Sequence, residues 1–350
     1  MSAPAATAAP ADGTDDEDRH RQLTVLAGWR RFADEEPAPP ELLPEQKWRR
    51  LSDAGRLAYD EARLNHHSRL LTVATPVIRN VITEGRRLPY LNRNADSGRC
   101  GLILSGPART GKTTAITQLG KTLEVIHRQR HPRSGGHIPV LYITVPPAAT
   151  AKMIAVEFAR FLGLPTIPRA NLTDIIEAVC GVCADTRTEL VAVDEIHNVS
   201  LATRPGAEAS DMLKYFSERI PATFVYAGID AERAGLLSGT RGEQIAGRFG
   251  MIRTSAFPRG EYWTGLISAL EGSLRLHRHQ PGTLTGLEEY LHRRTGGMIG
   301  SLLRLTRGAA IQAVLDGSEK ITRASLDSIG VDIASETAGA GRRPRAARDA

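Results

Sequence analysis

No apolar run in this chain approaches the roughly 20 residues that a membrane-crossing helix requires, and the N-terminus is rich in Ala, Pro and Asp where a secretory leader would be basic and then apolar. A cytoplasmic protein with no membrane partner is expected. Cysteine is scarce as well. Cys100, Cys180 and Cys183 are too few for a disulfide scaffold, and Cys180-Gly-Val-Cys183 lacks the second pair that a structural zinc site needs. The pair falls instead on an apolar helical periodicity, Leu172, Ile175, Ile176 and Val179, where small thiols pack well. Lysine is the third scarcity: Lys47, Lys112, Lys121, Lys152, Lys214 and Lys320 are the only lysines among 45 Lys and Arg. A lysine at a phosphate-binding position therefore carries weight.

What is present suits a large globular chain. With 350 residues, 41% of them hydrophobic and 24% charged, there is material for one large or two modest domains with a sizeable core. The net charge of +6 is uneven, because Asp12, Asp15, Asp16, Glu17 and Asp18 crowd the start while Arg342, Arg343, Arg345 and Arg348 close the chain. The body between is basic, which is compatible with a nucleic-acid partner and equally with an arginine-rich solvated surface.

Patterning divides the chain. Residues 1–19 and 335–350 bury too little to offset ordering entropy and are expected to be disordered acidic and basic tails. Residues 20–98 read as a helical N-terminal region, broken by prolines at Pro37–Pro44, in which Trp29, Trp48 and Tyr59 serve either as packing anchors or as base-stacking residues. From 99 to 257 short apolar runs alternate with helical patterns, the grammar of a parallel sheet with crossover helices. The runs are Gly101–Ser105, Val140–Val145, Leu190–Val193 and Thr223–Ala227, with Met251–Thr254 a short fifth. Residues 258–334 are helical again. The expected class is α/β, a parallel-sheet core between an N-terminal helical region and a C-terminal helical one.

Gly106-Pro107-Ala108-Arg109-Thr110-Gly111-Lys112-Thr113 fits the G-x-x-x-x-G-K-[ST] phosphate loop, with Thr114 following, and it stands between an apolar strand and a helix. The residue types follow from the chemistry. Gly106 and Gly111 let backbone N–H groups close on phosphate oxygens, and the helix start adds partial positive charge. Lys112 is placed to bridge β- and γ-phosphates, and the Thr113 hydroxyl to ligate magnesium. Downstream, Leu190–Val193 runs into Asp194-Glu195. Asp194 is the candidate for the magnesium side, and Glu195 for orienting and deprotonating the attacking water. ATP and magnesium are thus the expected substrate and cofactor, and the α/β part is expected to be a P-loop AAA+ core with a parallel sheet, an N-terminal helical region and a C-terminal α-helical lid. His197 and Asn198 either relay contacts from the nucleotide or cap the next turn. Arg248 has the always-charged, bidentate chemistry of an arginine that reaches a neighbouring subunit's nucleotide, with Arg241 and Arg253 as competitors and an intrachain ion pair as the plain alternative. No sensor residue is evident after the fourth strand, where Gly228-Ile229-Asp230 follows. Gly300 stands where a second-sensor arginine is usual, leaving Arg304 as a substitute candidate.

Taken together, Tyr59-Asp-Glu-Ala-Arg63, Thr75-Pro76, Asp194-Glu195-Ile-His197-Asn198, Met212-Leu-Lys214, Arg248-Phe249 and Gly297-Met-Ile-Gly300 resemble the TniB family, AAA+ ATPases that accompany bacterial DDE transposases and are related to TnsC. The resemblance implies a slow, DNA-stimulated ATPase that assembles as a ring or helical homo-oligomer on double-stranded DNA and recruits a transposase and a TniQ-type target selector. It also implies DNA contact after the second strand, where Thr150 and Lys152 stand, with Arg169 further on. Such contacts would be to phosphate, independent of sequence and sensitive to salt. Lys152 is equally the solvent face of a helix that buries Ile154, Phe158 and Phe161. A replication initiator or helicase loader with the same core, and a nucleotide-gated signalling switch, are the other functions open to this pattern.

Overall fold

The computed structural model describes residues 22–36, 38–69, 72–165, 171–200, 202–232 and 247–331. Both tails, Arg169 and Arg241 lie outside the described residues. Five strands, β1 (Gly101–Ser105), β2 (Val140–Thr144), β3 (Leu190–Asp194), β4 (Thr223–Gly228) and β5 (Phe249–Arg253), form one parallel sheet in the order β2-β3-β4-β1-β5. The register runs Val140↔Leu190 to Thr144↔Asp194, and Leu190↔Thr223 to Val193↔Tyr226. The three central strands β1, β3 and β4 are buried along their whole length, as expected of a sheet covered on both faces. β5 begins at Phe249, two residues before the sequence pattern places it. Its ring stacks on Tyr226 at 5.3 Å and fills the space above Gly101, where a Cβ would come within 2.1 Å of it.

Twelve α-helices are described: α1 (Leu26–Asp34), α2 (Glu45–Arg49), α3 (Asp53–Ser68), α4 (Pro76–Asn92), α5 (Lys112–Arg130), α6 (Ala151–Phe161), α7 (Leu172–Asp185), α8 (Arg204–Arg219), α9 (Glu261–Gly272), α10 (Glu288–Thr295), α11 (Ile299–Leu315) and α12 (Arg323–Ser328). Among the described residues no helix is long and apolar enough to cross a membrane. The contacts divide the chain into two compact units. The first takes 22–35, 84–103 and 116–250, and the second takes 36–83, 104–115 and 251–331.

In the first unit α6 buries Ile154, Phe158 and Phe161, and α7 buries Ile175, Ile176, Val179, Cys180 and Cys183. Burial pushes the Cys183 thiol up to about 12, so it is a packed apolar group and not a thiolate. Trp29 is fully buried: its ring stacks on Tyr142 at 5.8 Å, its Nε1 donates to Glu124 at 3.3 Å, and Gly120 leaves the room it needs.

The second unit has its own apolar core, built from Trp263, Leu266, Leu291, Leu302, Leu305 and their neighbours. α3 is held beside it by charge. The Arg63 guanidinium, fully buried, donates to both Glu319 oxygens at 2.7 and 2.9 Å and to Asp60 at 2.5 Å. Burial alone would lower the pKa of Arg63, but its two carboxylate partners raise it further. Trp48 stacks on His277 at 4.1 Å under Arg56, and Tyr59 shares a 3.1 Å hydrogen bond with the same histidine. All three aromatics of the N-terminal stretch that the sequence left open between packing and stacking are engaged in packing.

Candidate functional site

The loop between β1 and α5 lies in the second unit and closes on itself. Gly106 has φ +151°, and a Cβ there would fall 2.1 Å from the Thr254 carbonyl oxygen, so glycine is demanded by conformation and by space. Lys112 is only 8% exposed, and its Nζ donates to the carbonyls of Gly106 at 2.8 Å and Pro107 at 2.7 Å. The ammonium is thus held inside the loop by two acceptors that an incoming phosphate can replace. Thr113 and Thr114 open the first turn of α5, with Thr113 exposed.

Thr254, at the end of β5, is the residue that sequence reasoning missed. Its backbone N–H donates to Ser105 O at 2.8 Å, and its hydroxyl meets the Thr110 hydroxyl at 2.6 Å. Thr110 in turn donates to Pro107 O at 2.8 Å. With the Thr110 proton donated to Pro107 O, the Thr254 proton is left for Thr110 Oγ1, the nearer of its two acceptors, with Ser105 O at 3.3 Å the other. Both limbs of the loop are therefore tied to one threonine. A threonine closing a short apolar run carries no signal of this in sequence.

The start of α11 closes on the same loop within this unit. Gly300 N–H donates to Arg109 O at 3.0 Å, Arg109 Nη1 donates to Ser301 Oγ at 3.4 Å, and a Cβ on Gly300 would stand 3.0 Å from the Arg109 Cβ. Gly300 thus admits close approach of the Arg109 backbone, which itself adopts a left-handed φ of +65°. The arginine near the helix start is supplied by the loop, while Arg304 is exposed. Gly297, φ +72°, makes the preceding turn, where a Cβ would meet Phe257 O at 2.4 Å.

The acidic strand end lies in the first unit, and its two adjacent carboxylates differ in burial. Asp194 is 3% exposed and accepts from the Tyr142 hydroxyl at 3.1 Å and from the Glu195 N–H at 2.8 Å. Burial and the neighbouring Asp194 charge raise the Tyr142 pKa, so the phenol stays a donor. Glu195 takes a left-handed conformation, φ +57°, and its side chain is half-exposed beside His197. Positive φ in a non-glycine residue is a local strain of the kind that gathers at functional sites. The His197 ring bridges this carboxylate to the end of β4: its Nδ1 accepts from Ile229 N–H at 3.3 Å, leaving Nε2 to donate to Glu195 Oε2 at 3.2 Å. Asn198 Nδ2 donates to Val145 O at 2.8 Å. Both residues that the sequence left between relay and cap therefore join strand ends, β3 to β4 through His197 and β3 to β2 through Asn198.

Arg248 pairs with Glu218 at 2.8 Å in the same chain. Burial would raise the Glu218 carboxyl, but the hydrogen bond and charge of Arg248 outweigh it and hold the group below its ordinary value. Arg253 is exposed at the end of β5. Of the DNA candidates, Thr150 is the N-cap of α6, its hydroxyl accepting from Met153 N–H at 3.2 Å, and Lys152 is exposed on the first turn.

Comparison with known proteins agrees with this architecture. Residues 95–237 match the family model described as AAA domain. No curated protein matches the chain in sequence. Among solved structures, the Aeropyrum pernix ORC2 protein in ADPNP and ADP complexes is similar with a TM-score of 0.54 at 17% identity, covering 89% of this chain and 71% of that one. The Aeropyrum pernix ORC1 protein in complex with DNA gives 0.55 at 16%, covering 75% and 65%. Cdc6p from Pyrobaculum aerophilum gives 0.52 at 14%, covering 73% and 67%. At these identities the likeness is one of fold. Fold, loop and family match define residues 95–237 as an AAA-type P-loop ATPase domain. The chain is an ATP-hydrolysing enzyme whose core is built like those of the ORC and Cdc6 proteins.

Proposed function

We propose that this ATPase is a DNA-binding regulator of transposition of the TniB type, which assembles as a ring or helical filament on duplex DNA in its ATP state and uses hydrolysis to time its release. The observation that carries the ATP-dependent part is the Lys112 ammonium, seated inside the phosphate loop on two of the loop's own carbonyls. Lys112 exchanges its carbonyl acceptors for the β- and γ-phosphates, and backbone N–H groups of 106–114 hold the remaining oxygens. Glu195 orients the attacking water and takes its proton, while His197 keeps that carboxylate aimed and answers to the end of β4. The oxygen donors Thr113 and Asp194 suit magnesium, a hard cation that keeps most of its waters and leans on substrate phosphates. When bound, it neutralises phosphate charge.

Arg248 leaves Glu218 to reach the nucleotide of an adjacent subunit, so that each site answers to its neighbour. Lys152 meets DNA phosphate, with Thr150 fixing the start of its helix. The strings Asp194–Asn198 and Gly297–Gly300 support the transposition reading through their resemblance to the TniB family. A transposase and a TniQ-type selector are the partners this reading requires. The likeness to ORC1, solved in complex with DNA, favours a second reading as a replication initiator or helicase loader.

Nucleotide-dependent binding to duplex DNA, followed by electron microscopy, tests the proposal. ATP promotes rings or filaments on DNA, Lys112→Ala abolishes them, and Glu195→Gln prolongs them. Absence of DNA binding at low salt sinks both DNA readings. Binding confined to particular origin-like sequences favours the initiator.

A further inference from the structure

A concavity that the ATPase reading leaves unused opens in the first unit, at the starts of the strands and away from the strand end that bears Asp194 and Glu195. Its volume is about 260 Å³, and its floor includes Thr223, the first residue of β4, and Glu189, just ahead of β3. Four arginines line it: Arg86 on α4, Arg93 just after that helix, Arg99 ahead of β1 and Arg130 at the end of α5. Among the described residues none of the four pairs with a carboxylate. Arg99 donates to Glu218 O at 3.3 Å, Arg130 to the Tyr90 hydroxyl at 2.5 Å, and Arg93 lies over the Tyr90 ring at 5.1 Å. Glu189, the carboxylate in the lining, is already taken by the buried His127, whose Nδ1 stands 2.9 Å away.

Such a cluster is costly without a counter-charge, because like charges around a concavity raise one another's energy and focus the field into it. Guanidinium forks match phosphate oxygens in a bidentate fashion. The wall beside them is apolar, with Leu123, Ile126 and Pro221, and Tyr90 is 52% exposed at the rim. The floor is rigid. Asn92 accepts from Cys100 N–H at 2.8 Å and donates to Cys100 O at 2.8 Å and to Thr223 Oγ1 at 2.9 Å. The size lies just below the roughly 300 Å³ at which drug-sized ligand pockets begin, which suits one phosphate with one flat body better than a triphosphate.

We infer that this pocket binds a nucleoside monophosphate unit, its phosphate on the arginines and its base against Tyr90 and the apolar wall. The unit is either a free nucleotide or one nucleotide of a strand. The site is independent of the phosphate loop and of the proposed role in transposition.

Equilibrium dialysis of the full chain with labelled AMP, its loop filled by a saturating non-hydrolysable ATP analogue, provides the test. One AMP per chain is expected to remain bound, and Lys112→Ala keeps it. Arg93→Ala weakens it on the order of tenfold and Arg93→Ala/Arg130→Ala further, with ATP hydrolysis unchanged. Competition by a short 5′-phosphorylated oligonucleotide distinguishes the sources: displacement below the concentration at which unlabelled AMP competes assigns a strand, and weaker displacement assigns the free nucleotide. No AMP bound once the loop is filled, affinity indifferent to the arginine variants, or displacement by a polyglutamate peptide more readily than by AMP would each overturn the inference.

Discussion

Replacing Thr254 by valine removes one hydroxyl at almost constant shape, and the hydrogen-bond order around it sets the size of the effect. Thr110 keeps its donor bond to Pro107, and Ser105 O keeps the Thr254 N–H, so no buried donor is orphaned. What is lost is the 2.6 Å bond between the two hydroxyls and the looser 3.3 Å approach to Ser105 O. A neutral hydrogen bond is worth about 1 kcal/mol net, and that is the expected loss of folding stability. The same loss falls on the loop conformation that accepts phosphate, so nucleotide affinity should drop by about fivefold. Thr254 touches no substrate, so the rate at saturating ATP should hardly change. Thr254→Ser, which keeps the hydroxyl, should restore affinity. The assays are chemical denaturation, titration with a fluorescent nucleotide, and phosphate release at saturating ATP. If affinity stays at the wild-type value while stability falls, the threonine does not hold the loop. A hundredfold loss of turnover at unchanged affinity would place it in the chemistry instead.

Two further outcomes concern the second unit. Glu319→Ala leaves the buried Arg63 charge with Asp60 alone and should cost about 3–5 kcal/mol, whereas Arg63→Met/Glu319→Leu should recover most of it; urea melts of the three proteins decide, and equal losses for single and double variants would refute the account. His67 is buried, and that burial together with the nearby His66 lowers its pKa to about 4, while its Nε2 accepts from Arg275 N–H at 3.4 Å. Its folded pKa lies below the unfolded value of about 6.5, so the unfolded chain binds the proton more tightly, and stability is complete above pH 6.5 and falls as the pH drops toward 4. The loss should reach about 3 kcal/mol at pH 4, and denaturation midpoints in His67→Gln should follow pH less steeply over that window; parallel curves for the two proteins would exclude His67 as the cause.

The phosphate loop was legible because it is local. Glycines, lysine and threonine must occupy fixed positions within eight residues, and the flanking strand and helix announce themselves by their periods. The acidic pair after Leu190–Val193 was legible for the same reason. What the residues alone did not show is the left-handed backbone at Glu195, which leads into the 3-10 turn Ile196–Asn198, packed so tightly on Gly228 that a Cβ there would lie 2.6 Å from Ile196. Gly300 read in sequence as a missing arginine. In three dimensions it is the gap through which the loop backbone reaches the helix. Arg63 stood in the sequence only as the last residue of the string Tyr59–Arg63, yet it is fully buried and pairs with Glu319, 256 positions away.

Sequence alone determined the class of this protein, since phosphate binding and the alternation of strand and helix are written in neighbouring residues whose spacing the backbone enforces. Only tertiary structure decided which groups hold those residues in place. Thr254 on the loop, His197 between Glu195 and β4, Glu319 on Arg63, and the four arginines around Tyr90 are brought together by packing, and packing joins residues without regard to their distance along the chain.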